Sequence, residues 1–135
     1  MTSPLERLKD LVPEAVDAKE FAGLQKGGLA RLKDAANKGN SLESRFDLAY
    51  NAAHALSLAA LRYHGYRPKN RYIVFQVLPH TLGLGPDVWR VLAKCHDLRN
   101  RGAYEGDLDI DDRIMQDLIA ACGIVAKALA ALKPL

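Results

Sequence analysis

The chain contains 135 residues, of which 49% are hydrophobic and 26% are charged, and its formal net charge is +3. This length fits one domain, residues 1–135, with enough apolar residues for a core that needs no metal or disulfide crosslink. The charge excess is too small to indicate a nucleic-acid-binding protein by itself. Cys95 and Cys122 stand in separate apolar segments, so they form neither a disulfide framework nor a zinc site, and we expect two buried thiols.

No targeting or membrane-spanning segment is recognisable. The N-terminus lacks a basic region followed by an apolar run. The most apolar stretch, Leu118 to Leu132, is too short to span a bilayer and contains Lys127. The sequence therefore predicts a cytoplasmic protein with no membrane contact.

The first third of the chain predicts two helices. A serine–proline pair, with a glutamate three residues after the serine, predicts the start of a short helix over Met1–Val12. A longer helix is predicted over Pro13–Asn37, with Gly39 as its left-handed cap. The glycine pair Gly27-Gly28 inside it indicates either a kink or a very close approach of another helix.

The segment Ser41–His64 predicts the central helix of the fold. Ser41 is a good cap, and the helix is apolar on most sides, which is typical of a helix in the middle of a bundle. Its polar residues Asp47, Asn51 and His54 follow one another at spacings of four and three. This stripe is either an outward face, with His54 as a structural histidine, or it faces the polar cluster described below.

The remaining segments predict a turn and three further helices. Residues 65–68 read as a turn, and Asn70–Leu78 reads as a short buried helix, because a strand there would have no second strand to pair with. The last helices are predicted over Pro86–Arg101 and Ile110–Leu132. The aspartates between them are expected to cap the last helix rather than bind metal, because a calcium-loop spacing is absent. The fold class predicted is all-α, an antiparallel up-and-down bundle of four to five helices.

The most informative stretch is the polar segment over residues 94–106. His96, Arg99 and Asn100 are spaced i, i+3 and i+4, so they share one face of a helix. Arg99 offers a planar fork of donors that suits phosphate, and His96 can transfer a proton near neutral pH. Asn100 can both donate and accept hydrogen bonds.

The same stretch also has a simpler interpretation. Asp97 and Arg101 form an i, i+4 pair, and an arginine near a helix C-terminus complements the macrodipole, so much of this charge fits a solvated helix end. The helix is expected to stop near Gly102, which places Tyr104 in the following turn.

Three blocks of the sequence, in order, resemble the HEPN domains of bacteria and archaea over nearly the whole chain. They are the helix "SRFDLAYNAAHALSLAALRYHGYRP", the segment "RYIVFQVLPHTLG" and the helix ending "HDLRNRGAYEGD". The chain looks most similar to a bacterial subgroup with an RNR-small-x-Tyr ending. The resemblance implies an antiparallel helical bundle that forms a homodimer, and in many members a metal-independent RNase.

The resemblance also implies roles for individual residues. The family motif is Arg, a polar residue, three further positions and His; the Arg corresponds to Arg99 and the polar residue to Asn100, but the His position holds Tyr104. Tyrosine titrates near pH ~10, so Tyr104 is a poor general base at neutral pH, and His96 is the candidate replacement. The candidate catalytic residues are therefore Arg99, Asn100, Tyr104 and His96. The candidate nucleic-acid-binding residues are Arg99, Arg101, Asp47, Asn51 and His54.

Three functions remain open from the sequence. The first is a HEPN-type protein that binds RNA or a nucleotide and cleaves RNA weakly, with two clusters brought into one cleft by a dimer. The second is a non-catalytic interaction module in which Arg99, Asn100 and Tyr104 form a structural clasp, with Arg99 satisfied by the acidic segment at Glu105. The third is a toxin whose Tyr104 is modified by a nucleotidyltransferase partner. No cofactor or metal is expected, because the chain has no Gly-rich phosphate loop and no metal-ligand spacing.

Overall fold

The computed structural model describes Leu5, residues 8–105 and residues 110–135, with only the backbone of residues 103–105. It is mainly helical, with one small two-stranded sheet. In chain order the elements are β1 (Leu11–Pro13), α1 (Ala18–Ala35), α2 (Leu42–Tyr63), β2 (Tyr66–Pro68), α3 (Ile73–Gln76), α4 (Leu78–Thr81), α5 (Pro86–Glu105) and α6 (Asp112–Ala130).

Helices α1 and α2 form an antiparallel pair. At one end of the pair, Nε of Arg45 near the start of α2 donates to the carbonyl of Ala35 at the end of α1, at 2.8 Å. At the other end, Arg62 in the last turn of α2 contacts Glu20 in the first turn of α1. The two helices therefore run in opposite directions along their whole shared length.

The other two long helices also pack on α2. Helix α5 is antiparallel to α2, because Asp47 contacts Arg99 whereas Tyr50, one turn later, contacts His96, one turn earlier. Helix α6 is parallel to α2. The contacts that show this are Cys122 Sγ to the Ala49 carbonyl at 3.3 Å and Tyr63 Oη to the Lys133 carbonyl at 2.9 Å. The four long helices thus alternate in direction around α2, as an up-and-down bundle does.

Helix α2 supplies the centre of the core, as its apolar sequence predicts. Fully buried side chains occur on several of its faces, which is the environment expected of a helix that is apolar nearly all round. They include Phe46, Ala49, Tyr50, Ala53, Leu56, Ala60 and Leu61. Its cap is the predicted one, because the Ser41 hydroxyl accepts from the Ser44 backbone N–H at 3.2 Å.

The cap of α6 and a glycine inside α1 test two further predictions from the sequence. Asp111 caps α6 by accepting from the N–H of Ile114 at 2.8 Å, which confirms the capping interpretation for that aspartate. A Cβ on Gly28 would lie only 2.7 Å from a side-chain atom of Leu56. The close approach of another helix is therefore the reason for this glycine, because any larger residue would collide with the core of α2.

The structure is compatible with the predicted all-α bundle, and the small sheet is a local feature that the prediction lacked. The strands β1 and β2 pair antiparallel, with Leu11 opposite Pro68 and Pro13 opposite Tyr66. The helix predicted over Met1–Val12 is therefore wrong for Leu11 and Val12, and residues 1–4, 6 and 7 lie outside the described part of the chain. Residues 65–68 are not simply a turn, because three of them form a strand. Each strand is too short to show alternating hydrophobicity, so the sequence pattern does not reveal their pairing.

Further corrections concern helix number and helix ends. The structure has two short helices, α3 and α4, in place of the single one predicted over Asn70–Leu78, which gives six helices in the described residues rather than four to five. Helix α1 begins at Ala18, capped by Asp17, and Gly39 does not adopt a left-handed conformation. Helix α5 continues through Gly102 to Glu105, so Tyr104 belongs to the helix and not to a following turn. One glycine lowers helix propensity by only ~1 kcal/mol, which the rest of a long helix can outweigh.

No helix in the described ranges is both long and apolar enough to cross a membrane.

Candidate functional site

The buried face of α5 fixes the rotation of this helix about its axis, and so determines where its polar residues lie. The predicted seam is confirmed, because the residues at helical spacing along it are at most 9% exposed: Val88, Leu92, Cys95 and Leu98. With this seam against α2 and α6, the residues between its members turn toward α2 and α3. His96 and Arg99 are half-buried there, and Asn100 is exposed.

His96 is held at both ring nitrogens. Its Nδ1 lies 2.8 Å from the hydroxyl of Tyr50, and its Nε2 lies 3.1 Å from Nδ2 of Asn100. With the Asn100 amide in this orientation its nitrogen donates to Nε2, and the neutral ring then carries its proton on Nδ1, facing the Tyr50 hydroxyl. The atom of His96 that can accept a proton is therefore Nε2, on the side covered by Asn100.

The surroundings of His96 favour its neutral form. Burial is the main cause that lowers its pKa, Asp97 opposes the shift, and Arg71 and Arg99 add to it. Its ring also packs 4.9 Å from the ring of Tyr72, centroid to centroid. At neutral pH His96 is thus an uncharged imidazole with a defined tautomer, which is the form that a general base requires.

Arg99 is placed by two contacts with α2. Its Nε donates to Oδ1 of Asp47 at 3.2 Å, and its guanidinium carbon lies 4.8 Å from the centroid of the Tyr50 ring. The side chain is 36% exposed and that of Asp47 is 59% exposed, so the ion pair faces solvent. The two terminal nitrogens of Arg99 have no acceptor among the described residues, and they remain available to an anion.

A second arginine joins this cluster. The guanidinium carbon of Arg71, two residues before the start of α3, lies 6.0 Å from the same Tyr50 ring. Arg71 is exposed and forms no ion pair within the described ranges. Two guanidinium groups therefore converge on one aromatic ring, while only one of them has a carboxylate partner.

Sequence reasoning missed Tyr50, Tyr72 and Arg71 as members of the site. The sequence pattern identifies Tyr50 only as an apolar residue of the central helix, and Tyr72 only as an apolar residue of the short helix predicted over Asn70–Leu78. Arg71 did carry a signal, because Arg67, Lys69 and Arg71 make the densest basic stretch of the chain. What the sequence does not contain is the packing of α3 beside α5, which brings Arg71 and Tyr72 to His96.

The polar stripe of α2 leads from Asp47 into the same region. His54 packs edge-on against Phe75, with ring centroids 6.1 Å apart, and Phe75 also contacts the His96 ring at 6.3 Å. Burial lowers the pKa of His54 to about 4, with smaller contributions from Arg71, His96 and Arg99. Its Nε2 is buried without a hydrogen-bond partner among the described residues. His54 is therefore neutral, and together with Asn51 it lines a depression.

One predicted residue stands apart from the cluster, and the side chain of another is not described. Arg101 is exposed, and no contact of its side chain with the residues above is present in the described part of the structure. The side chain of Tyr104 lies outside the described residues, as do Glu105's side chain and the segment 106–109. The predicted clasp between Arg99 and Glu105 thus falls outside them too, and the carboxylate that Arg99 does contact is Asp47.

The two cysteines are unsuited to nucleophilic chemistry. Burial raises the pKa of both Cys95 and Cys122 to about 12, so neither forms a thiolate at neutral pH. Within the described ranges, no group of three or more histidine, cysteine, aspartate or glutamate side chains is arranged to hold a metal ion.

No protein-family model, no curated protein and no solved structure matches this chain.

Proposed function

We propose that this protein is a HEPN-like protein that binds single-stranded RNA at the cluster formed by Tyr50, Arg71, His96, Arg99 and Asn100. The observation that carries the proposal is the convergence of Arg71 and Arg99 on the Tyr50 ring with a single carboxylate partner between them. Such a surplus of guanidinium groups beside two neutral histidines attracts phosphate, and arginine binds phosphate through paired N–H donors.

The preference for RNA rests on the resemblance to HEPN domains and on the aromatic residues of the cluster. Unpaired bases stack on tyrosine and histidine rings, and Tyr72 is a half-buried ring next to His96. As proposed, a homodimer places two such clusters near one RNA backbone, which doubles the positive charge that the backbone meets.

A second candidate function is metal-independent cleavage of the bound RNA, and the geometry of His96 favours it. Neutral Nε2 can take the proton of a ribose 2′-hydroxyl once the substrate displaces Asn100, while Tyr50 holds Nδ1 and so fixes the ring. Arg99, one turn later on the same face, then lies where it can bind the phosphate. The group that protonates the leaving oxygen is not among these residues, and Tyr104 is the remaining candidate for it.

The alternative is a non-catalytic interaction module in which the cluster is structural. The observation in its favour is that Arg99 and Asn100 both make internal contacts, with Asp47 and with His96. In that account the contacts stabilise the end of α5. Their loss then lowers the melting temperature and leaves the affinity for RNA unchanged.

The test is RNA binding and cleavage in EDTA by the wild type and by the Arg99→Ala, Arg71→Ala and His96→Ala variants. We expect Arg99→Ala and Arg71→Ala each to weaken binding about tenfold or more, because each removes one charge-assisted phosphate contact. His96→Ala should retain binding but lose any cleavage. Each variant is first checked for helicity and dimerisation.

The matched control is Arg90→Ala. Arg90 is an exposed arginine on α5, nine residues before Arg99, so at 100° per residue it lies on the opposite side of the helix. If the folded wild type binds no RNA at high protein concentration, the proposal is wrong. Equal weakening by Arg90→Ala and Arg99→Ala would also contradict it, because the binding would then follow net charge and not this cluster.

A further inference from the structure

A depression lies between α1 and α2, and His54 is one of the residues that line it. It has a volume of about 390 Å³ and opens to solvent. This is toward the lower end of the range of roughly 300–1,000 Å³ typical of small-ligand sites. Its lining residues are Leu24, Arg31, Asn51, His54, Ala55 and Leu58.

The lining combines the groups that a nucleotide needs. Leu24 and Leu58 are half-buried apolar side chains on opposite helices, and they offer a surface for the face of a base. Asn51 supplies an amide that can donate to and accept from a base edge or a ribose. Arg31 supplies a cation.

Arg31 is an exposed arginine without an ion-pair partner in the described part of the chain. Its Nη1 lies 3.0 Å from the position that a Cβ on Gly27 would take. The side chain is therefore folded back along α1 over the bare backbone at Gly27. This position keeps a positive charge beside the depression.

The part of the depression that α2 supplies lies on the same face of α2 as Asp47, the partner of Arg99. Asp47, which binds Arg99, is one helical turn before Asn51, and Leu58 ends the same surface two turns further on. At 1.5 Å per residue the distance from Asp47 to Leu58 is about 16 Å, which is longer than one nucleotide. His54 joins the two regions, because it lines the depression and packs on the Phe75 ring that His96 also contacts.

We propose that this depression is a second nucleotide subsite for the same RNA strand. Arg31 binds the phosphate, Asn51 binds the base edge or ribose, and Leu24 and Leu58 contact the base. This inference rests on the proposed function, and it adds a reason for the single-stranded substrate, since a base held in a duplex cannot enter the depression.

The test compares RNAs that can and cannot reach both sites. Affinities are measured by fluorescence anisotropy for an oligonucleotide of about eight nucleotides, and by competition for a dinucleotide. The RNAs are checked to be intact after each titration. The proteins are the wild type, Arg31→Ala, Arg31→Lys and Lys33→Ala. Lys33 is an exposed cation two residues further along α1, so it faces away from Arg31.

The expected result is a length-dependent effect. Arg31→Ala should weaken binding of the longer RNA about fivefold to tenfold and lower the slope of log K against log salt by about 0.7, the contribution of one phosphate contact on a single strand. Dinucleotide binding should not change. Arg31→Lys should restore most of the affinity, and Lys33→Ala should match the wild type.

Three results would overturn the inference. If Arg31→Ala matches Lys33→Ala while Arg99→Ala weakens binding, the second subsite does not exist but the proposed function stands. If Arg31→Ala weakens binding of both RNAs equally, Arg31 contributes only general positive charge. If the folded wild type binds neither RNA, the subsite and the proposed function both fall.

Discussion

Two arginine clusters on this molecule use their charges in different ways. In the first, Arg62 and Arg67 contact Glu14 and Glu20, so two cations meet two carboxylates. In the second, Arg71 and Arg99 share the Tyr50 ring, and only Arg99 contacts a carboxylate, that of Asp47. The first cluster is electrically balanced, whereas the second carries a surplus positive charge.

Burial separates the clusters further. The side chain of Arg62 is 2% exposed, and its N–H groups also donate to the carbonyls of Glu14, Ala15 and Tyr66. It therefore fastens the segment before α1 to the end of α2, with its donors used inside the protein. Arg99 is 36% exposed and leaves its terminal nitrogens to solvent. A buried arginine whose donors are all hydrogen-bonded within the protein stabilises the fold. An exposed arginine with unbonded donors is suited to bind a ligand.

The largest effect should follow from breaking the balanced cluster. Arg62→Met should lower the free energy of unfolding by about 3–5 kcal/mol, because it leaves carboxylates and three carbonyls without their donor. Urea unfolding measures this, with Arg67→Ala as the control. Arg67 is 40% exposed, so its loss should cost about 1 kcal/mol or less. Equal effects of the two variants would contradict the structural role of Arg62.

As the pH falls, His54 and Glu20 should lose their contributions to the free energy of unfolding in different pH ranges. His54 has an ordinary pKa of 6.5 and a folded pKa of about 4, so the unfolded chain binds more protons between these values. Its contribution is present above pH 6.5 and is lost as the pH falls toward 4, by up to ~3 kcal/mol. The Glu20 pKa is lowered from 4.5 by hydrogen bonds from Arg62 and Arg67. Stability from Glu20 is therefore lost only as the pH falls below 4.5.

The measurement is the unfolding free energy between pH 7 and pH 3.5. The variant His54→Leu should flatten the curve between pH 6.5 and 4, and Glu20→Gln should flatten it below 4.5. If His54→Leu keeps the slope of the wild type, His54 is not the group whose burial opposes protonation.

The smallest effect should come from adjusting the unbalanced cluster. Asp47→Asn removes the carboxylate that competes with phosphate for Arg99, so RNA affinity should rise about threefold, while stability changes by less than about 1 kcal/mol. Filter binding and thermal melting measure the two quantities. The structural-clasp account expects the reverse, with a lower melting temperature and no change in RNA binding.

Much of the local structure could be predicted from the sequence because it depends on neighbours along the chain. Ser41 and Asp111 are hydrogen-bond acceptors placed at helix starts, and the buried seam of α5 repeats at helical spacing. The same spacing puts His96, Arg99 and Asn100 on one face, which the contact between His96 and Asn100 reflects. The helical class and the central place of α2 follow from the same local patterns.

The tertiary structure alone decided how these pieces meet. The pairing of β1 with β2 and the positions of Arg71 beside Tyr50 and of Tyr72 beside His96 depend on residues far apart in the chain. Long-range contacts of this kind leave no periodic signal in a single sequence, because their energy comes from packing and not from local propensity. The sequence by itself thus determined the helices and whether each helix face is polar or apolar. The tertiary structure determined which arginines pair with carboxylates and which keep unbonded N–H donors.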